Sequence, residues 1–564
     1  MPHKRRKLAC SLALGAVLSL ESTAVCATYG VRKISAFSGA HSTVALVAVA
    51  IGVFAVAALA CFLLLSKADA LFGWAERVNR PRKLKLEFSA KSVALVSAVV
   101  FACWMPWIIL QYPCSMNGDT YNQLYQFQTS SPTYYTTVGV TVEQSFVDHH
   151  PVFCTLIFGC FLTLGDALGS QNVGLFLYSL FQCALTAFAL GASCCYLERL
   201  GVPKVFRFVS VLFVALFPPI PQWATCMVKD SLNAPLFVLF VLMYIDMLRT
   251  HGASLRSRRF IATFVVVSLL FILTKKSSAL VFGVAMVAFV IAEHSSWARS
   301  LLAAALPLLL GVAVIPALLY PVIGGVAPGG KQETFGFAFQ QVVTAVNDGT
   351  ELSDGEREAV GRVLDLDRAR KRINPGLVDP VKNSCVDDAT TGDYLAFIPA
   401  YFSIGLKNPG AYTSAVLNVN GPLIMPSRSF IYYESPAQEE SWVNTFKSAD
   451  TKGELHLTFE KPAALDAVAK QVQGVFESVY SWHSPLLFFF TLGFYGGWIP
   501  LICLVICLFY DRRCAVMLVP MIACCAILVI GPASGDRYVL PLLYATPIMM
   551  GLLCHAYAKA RVRN

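Results

Sequence analysis

The chain has 564 residues, of which 56% are hydrophobic and only 14% are charged, whereas ordinary soluble domains carry about 25% charged residues. Its apolar runs approach the ~20 residues that a helix needs to cross the hydrocarbon of a bilayer. This composition excludes an ordinary soluble domain and predicts an all-α polytopic membrane protein.

The net charge of +10 is unevenly distributed. Residues 325–480 carry 14 Lys and Arg against 20 Asp and Glu, so the basic excess lies in the rest of the chain, mostly in short loops between apolar runs. Lys and Arg in such loops mark the cytoplasmic side of a membrane. The excess therefore indicates orientation, and no nucleic-acid partner is predicted.

The N-terminal segment 1–28 combines a basic head with an apolar run and small residues near Ala27. It reads either as a first transmembrane helix or as a cleaved signal peptide. Both interpretations put Tyr29 outside. The N-terminus is cytoplasmic in the first case and outside in the second, and the basic end "YAKARVRN" predicts a cytoplasmic C-terminus.

The first outer loop, residues 113–150, contains no Lys or Arg. Basic loops on either side of it, near 67–91 and 199–207, both indicate the cytoplasm, yet three apolar runs lie between them. One run must therefore fail to cross. We expect this of the shortest, 152–168, which Gly159 and Gly165 interrupt, and predict a re-entrant or interfacial helix with both ends on the outer face.

The other runs alternate consistently and make about twelve spans: 1–28, 42–66, 92–112, 172–195, 205–222, 231–248, 260–274, 279–293, 299–323, 484–510, 514–532 and 539–557. These divide the chain into an N-terminal membrane domain (29–324), an extracytoplasmic, mainly helical domain (325–480) and C-terminal membrane helices (481–564). The predicted location is the cell membrane.

Local signals support helices in the outer domain. Ser353 and Glu356 have capping-box spacing, residues 465–479 present valines on one helical face, and "GDYLAFIPAYFSIGLKNPG" predicts a surface-lying helix that stops at Asn408-Pro409. A disulfide between Cys114 and Cys385 is permitted outside the cell, but sequence does not fix the pairing.

"GVAPGGKQ", residues 325–332, nearly matches a nucleotide-binding P-loop. However, Gln332 stands where a magnesium-binding Ser or Thr is required, and the motif follows an apolar helix where a strand is expected. Nucleotide binding is therefore not predicted.

Polar residues gather at the outer edges of the predicted spans. The candidates are Asp119, Gln123, Asp148, His149, His150, Lys229, Asp230, Lys275, Lys276, Arg537 and Tyr538. Ionisable residues at the edge of apolar helices are costly and therefore mark functional sites.

Simpler readings stay open. Lys275, Lys276 and Arg537 could snorkel to lipid headgroups, and Asp119 could be a turn residue after Asn117-Gly118. The two histidines point about 100° apart on a helix, so a cap or hydrogen-bonding role is favoured over a metal pair.

The combination suits a substrate whose phosphate lies at headgroup level and whose tail lies in lipid. Cations would hold the phosphate through charge-assisted hydrogen bonds, and a carboxylate would deprotonate an acceptor hydroxyl. These are the requirements of sugar transfer from a polyprenyl-phosphate carrier.

An ordered set of motifs carries a family resemblance: "GDTYNQ", "HHP", "LYSLFQCAL" with Gln182, "MVKDSL" and "DRYVLPLL". Over about residues 92–300 and the C-terminal spans, the chain resembles the GT-C superfamily of lipid-linked-sugar glycosyltransferases, and within it an uncharacterised bacterial branch. The resemblance implies that Asp119 is either the general base or part of a divalent-metal site, and that Lys229 and Arg537 face the phosphate. Gly118 replaces a second acid that many relatives carry, which leaves the metal open.

The predicted function is therefore transfer of a sugar from a polyprenyl-phosphate donor to a cell-envelope glycan or protein acceptor on the outer face. Asp119, His149 and His150 are the expected catalytic residues, and the other candidates are expected to bind substrate. The alternatives are a transporter or lipid flippase, an O-antigen-type polymerase or ligase, and an envelope scaffold.

Overall fold

The computed structural model describes residues 2–28, 43–78, 86–129, 144–293, 297–426, 430, 461–479 and 485–563. Of the predicted loops, basic residues 80, 82, 83 and 85, outer-loop residues 130–143 and outer-segment residues 431–460 lie outside this part. The described residues are 81% helical, and seven of their helices are long and apolar enough to cross a membrane. The protein is thus a helical membrane protein in its fold class.

The first half of the chain is a run of long helices interrupted by short ones. They are α1 (Pro2–Thr28), α2 (Thr43–Val78), α3 (Ala90–Leu110), α4 (Gly118–Thr129), α5 (Val152–Ala167), α6 (Gln171–Tyr196), α7 (Lys204–Leu216), α8 (Pro219–Ala224), α9 (Lys229–Arg249), α10 (Arg258–Thr274), α11 (Ser277–Ala292), α12 (Trp297–Leu309) and α13 (Ile315–Val322). A π-helical turn joins α12 to α13.

The second half begins with residues 325–480, which the sequence predicts to lie outside and which are called the outer segment below. It then returns to apolar helices. Its helices are α14 (Gln332–Asn347), α15 (Asp354–Gly361), α16 (Leu366–Arg372), α17 (Asp379–Lys382), α18 (Thr391–Lys407), α19 (Pro409–Ile424), α20 (Ala463–Val479), α21 (Ile499–Tyr510), α22 (Arg512–Met517), α23 (Val519–Val529) and α24 (Leu540–Arg563). A 3-10 turn, Asp536–Val539, leads directly into α24.

Four very short strands pair in parallel between distant parts of the chain. β1 (Ser115–Met116) pairs with β3 (Cys226–Met227), and β2 (Phe146–Asp148) pairs with β4 (Val326–Pro328). The near-P-loop segment therefore forms β4 and the turn after it. Gly329 is required there, because a Cβ on it would lie 2.9 Å from the Asp148 carbonyl oxygen.

Local signals in the outer segment are confirmed. Ser353 and Glu356 form both bonds of the capping box, α18 ends at Lys407 before Asn408-Pro409, and the amphipathic run forms α20. Phe339, Val342 and Phe397 belong to a separate buried core of this segment. Cys114 and Cys385 are both free thiols, so the permitted disulfide is not formed.

The apolar run 205–222 is not one helix. α7 ends at Leu216, and α8 begins again at Pro219. The break contains three prolines, Pro218, Pro219 and Pro221. Proline has no backbone N–H to continue the hydrogen bonds of a helix, and it disfavours the helical conformation of the residue before it. This break turns the chain toward β3, and so toward the start of α9.

Candidate functional site

The strand pair β1–β3 brings two helix starts together. Met116 is paired with Met227, and the chain continues from these residues into α4 and α9. Asp119 is the second residue of α4 and Lys229 is the first of α9. The Thr120 hydroxyl, which donates to the Met227 carbonyl, ties the two segments side by side.

Asp119 lies at the centre of the resulting charge cluster. Its Oδ2 accepts a hydrogen bond from Lys229 Nζ and lies 2.9 Å from Arg537 Nη1. His150 Nδ1 lies 3.2 Å from Lys229 Nζ and 3.9 Å from the same carboxylate oxygen. Three residues from three other segments thus meet around the Asp119 carboxylate.

Asp230 extends the cluster to one side. Its buried side chain lies 2.5 Å from Lys275 Nζ and 3.4 Å from Arg537 Nε. The Tyr538 ring packs under both cations, with its centroid 5.2 Å from each. Cations and carboxylates therefore alternate in the order Lys229, Asp119, Arg537, Asp230, Lys275.

A rim of charges connects the cluster to the outer segment. Lys276 Nζ lies 3.0 Å from Asp148 Oδ2. His149 packs edge-on against His150 with ring centroids 4.4 Å apart, and its Nδ1 lies 3.6 Å from Glu333 Oε1 in α14. The outer segment thus contributes a carboxylate directly beside the candidate catalytic histidines.

Burial and the charges within the cluster determine the protonation states of Asp119 and His150. Burial alone would raise the pKa of Asp119, but the charges of Lys229 and Arg537 outweigh it and hold that pKa well below its ordinary value. Burial, followed by the nearby Lys229 charge, lowers the pKa of His150 well below its ordinary value. Asp119 is therefore ionised and His150 neutral at neutral pH.

The cluster stands at several helix N-termini at once. His150 precedes α5 by two residues, Lys275 precedes α11 by two, and Arg537 lies in the turn that leads into α24, while Asp119 and Lys229 open α4 and α9. The N-terminus of a helix carries a partial positive charge and N–H groups that attract anions. With three cations, two carboxylates and neutral His150, the cluster has a net charge of +1 and suits an anion such as a phosphate.

The structure brings together ten of the eleven candidates, seven in the cluster and three at its rim. Gln123 lies one helical turn after Asp119 in α4; it is buried, its Nε2 donates to Thr155 Oγ1 of α5 at 3.0 Å, and its role in substrate binding stays a prediction. Of the two roles predicted for the histidines, the cap is wrong, because Pro151 is the N-cap residue of α5. The hydrogen-bonding role agrees with the contact between His150 Nδ1 and Lys229 Nζ.

Sequence reasoning missed Glu333 and Lys382. Lys382 Nζ lies 2.9 Å from Glu333 Oε2, so Glu333 is shared between His149 and a buried lysine. The near-P-loop segment pairs as β4 beside β2, and this pairing carries α14 to the site. Nothing in the local sequence reveals that pairing.

A second group of charges lies at the far end of the same helices. α9 has 21 residues and so extends roughly 30 Å from Lys229 to Arg249, the thickness of the hydrocarbon of a bilayer. At that end, Asp246 contacts Arg249 (2.9 Å), Arg199 (3.3 Å) and the Tyr196 hydroxyl (3.1 Å). The two charge clusters therefore have the spacing of two membrane surfaces.

A divalent metal does not fit Asp119 as it is placed. The carboxylate oxygen that would bind the metal faces Lys229 and Arg537, and a dication there would be repelled by both. In the part of the chain that the structure describes, no three His, Cys, Asp or Glu residues are grouped to hold a metal ion.

Three comparisons with known proteins give one match. No curated protein matches it, and no solved structure does. A family model described as a family of unknown function (DUF6020) matches residues 2–564, and the chain belongs to that family.

Proposed function

We propose that this protein is a glycosyltransferase that moves a sugar from a polyprenyl-phosphate donor to a cell-envelope acceptor at the outer face of the membrane. One observation carries the proposal: three cations and an ionised carboxylate meet at helix N-termini on one edge of the apolar bundle. A donor with a phosphate headgroup and an isoprenoid tail matches both the charge and the depth of that place.

Lys229, Lys275 and Arg537 are the proposed phosphate ligands. Without an anion, their charges are directed at Asp119 and Asp230. A phosphate takes over part of these contacts, and the Arg537 guanidinium can hold two of its oxygens at once. In the transition state, the same cations stabilise the negative charge that develops on the phosphate leaving group.

Asp119 is the proposed general base. In the reaction, the bond between the sugar C1 and the phosphate oxygen breaks, and a bond from the acceptor oxygen to C1 forms. The proton of the acceptor hydroxyl goes to Asp119. Before the donor binds, Lys229 and Arg537 make Asp119 a weak base. A bound phosphate draws these cations away from Asp119, so the basicity of Asp119 rises when the donor is in place.

The proposed topology has about twelve spans, with both helix ends of α5 on the outer face. α5 has 16 residues, or about 24 Å, which is shorter than the ~30 Å of hydrocarbon. α5 starts beside His150, and α6 runs from Gln171 to the far charge cluster at Tyr196. An outer domain at 325–480 then lies over the site and is proposed to select the acceptor.

The test is a transfer assay with purified protein in proteoliposomes, a panel of radiolabelled polyprenyl-phosphate sugars and cell-envelope acceptor extract. Asp119→Asn is expected to lower the rate of glycosidic bond formation about 10²–10⁴-fold, with unchanged membrane abundance. Exposed Asp166 in α5 supplies the control, and Asp166→Asn is expected to keep the wild-type rate.

Two results would contradict the proposal. Transfer by Asp119→Asn at the wild-type rate would remove the base from the mechanism. Accumulation of labelled donor inside the vesicles without any new glycosidic bond would instead identify a transporter or flippase.

A further inference from the structure

We infer that three buried amide side chains, Gln182, Asn233 and Asn420, are positioning residues that set the three phosphate-binding cations in place. The inference rests on the proposed function. Each amide comes from a different helix, and each binds at least one backbone carbonyl in the segment that leads to one of the cations. None of the three is more than 1% exposed.

Gln182 of α6 holds the segment before Lys229. Its Nε2 donates to the carbonyls of Ala224 (2.6 Å) and Cys226 (2.8 Å), the last residue of α8 and the first of β3. The Tyr178 hydroxyl donates to its Oε1 at 2.5 Å and fixes the amide orientation. Both amide hydrogens are thus used to hold β3, which continues into α9.

Asn233 of α9 holds the turn that carries Lys275. Its Nδ2 lies 3.0 Å from the Phe271 carbonyl, 2.8 Å from Thr274 Oγ1 and 2.9 Å from Ser278 Oγ. These partners belong to the end of α10 and the start of α11. One amide therefore clamps both sides of the turn.

Asn420 of α19 holds the segment before Arg537. Its Nδ2 donates to the carbonyls of Val529 (3.0 Å) and Gly531 (2.9 Å), at the end of α23 and just beyond it. The outer segment supports the same connection, since the Val378 amide donates to the Pro532 carbonyl at 3.0 Å.

One physical requirement explains a contact of each amide, namely those with the carbonyls of Ala224, Phe271 and Val529 in the last turns of α8, α10 and α23. The last carbonyls of a helix have no partner within that helix, and in a bilayer they must be satisfied by protein. A Lys or Arg donor would do this but would add a charge beside the anion site. A neutral amide binds the carbonyls, fixes the path of the chain and leaves the charge balance of the cluster unchanged.

The test is a double-mutant cycle on the binding of farnesyl phosphate to the full-length protein in nanodiscs, measured by calorimetry. Asn233→Leu and Lys275→Met are each expected to weaken binding about tenfold. Because Asn233 acts through Lys275, the affinity of the double variant for farnesyl phosphate is expected to be no lower than that of the single variant with the lower affinity. The pair Gln182→Leu and Lys229→Met is expected to behave in the same way.

Gln340→Leu is the matched control. Gln340 is also fully buried, and its Nε2 donates to a carbonyl, that of Asn374, at 2.8 Å, but in the outer segment. Its loss is expected to lower the melting temperature and to leave farnesyl phosphate affinity unchanged. Asn233→Ala, which also removes the amide without adding a charge, repeats the cycle if the leucine variant does not fold.

The outcomes distinguish a failure of the positioning role from a failure of the proposed function. If the wild-type protein binds but the Asn233 and Lys275 losses multiply, the amide acts independently of the cation and the positioning role is refuted. A wild-type protein that does not bind farnesyl phosphate refutes the proposed function, and the inference falls with it.

Discussion

The two ends of α9 carry charges for different physical reasons. At one end, Arg249 lies in the last helical turn beside Asp246, where a cation is favoured by the helix dipole. At the other, Lys229 is the first helical residue, where the same dipole opposes it. Lys275 and Arg537 likewise lie before or within the first turn of a helical segment.

This difference separates cations that serve the fold from cations that serve a ligand. Arg249 is explained by its own helix, whose dipole favours a cation at that end. Asp119 and Asp230 neutralise the cations at the opposite end, but buried ion pairs contribute little net stability. A cation that lies against the helix dipole and is held by such pairs is not explained by stability, and under the proposed function its role is to bind an anion.

Replacing one arginine at each end tests this distinction with the largest expected effect. Arg537→Gln is expected to weaken farnesyl phosphate binding by about 10–100-fold, because it removes a charged phosphate ligand. It is also expected to lower the melting temperature, because Asp119 and buried Asp230 each lose one cationic partner. Arg249→Gln is expected to leave binding unchanged and to lower the free energy of unfolding by about 1 kcal/mol. Isothermal calorimetry and thermal unfolding measure the two effects; equal losses of binding in both variants would erase the distinction.

A substitution of Glu356 is expected to have a smaller effect, because this carboxylate lies at a helix N-terminus where it stabilises the fold. Burial raises its pKa, but hydrogen bonds from Lys407 and the Ser353 backbone outweigh burial and lower the pKa to about 2. Since the folded pKa lies below the unfolded value of about 4.3, its contribution is present above that value and is lost as pH falls toward 2. Glu356→Gln is therefore expected to destabilise the protein at pH 7, with the difference from wild type shrinking below about pH 4.3.

Thermal unfolding of both proteins across this pH range measures the effect. A constant difference at all pH values would mean that Glu356 stabilises the domain through shape and not through its charge. The melting temperature is expected to fall without loss of farnesyl phosphate affinity, unlike the effect of a change at Arg537.

Sequence predicted the helical membrane class and most of the cluster for one reason. Ionisable residues at the ends of apolar runs are conspicuous, so Asp119, Lys229 and Arg537 could be selected without knowing their contacts. The partner of Gln123, which is Thr155, could not be predicted, because an amide in a polar stretch gives no sign of its neighbour.

Contacts that depend on distant pairing were beyond local reasoning. Glu333 reaches His149 only because β4 pairs with β2. Asn233 and Asn420 lie in apolar runs, where a single amide has the same pattern whether it faces a helix end or a neighbouring side chain. Their role became visible only when the carbonyls they bind were identified.

The most direct measurement is a cryo-electron microscopy structure of the protein in nanodiscs with farnesyl phosphate. The account predicts phosphate density between Lys229, Lys275 and Arg537, with the isoprenoid chain extending into lipid and the contact between Asp119 and Arg537 lengthened. Phosphate density beside Arg199 and Arg249 at the other end of α9, with the Asp119 cluster unchanged, would contradict it.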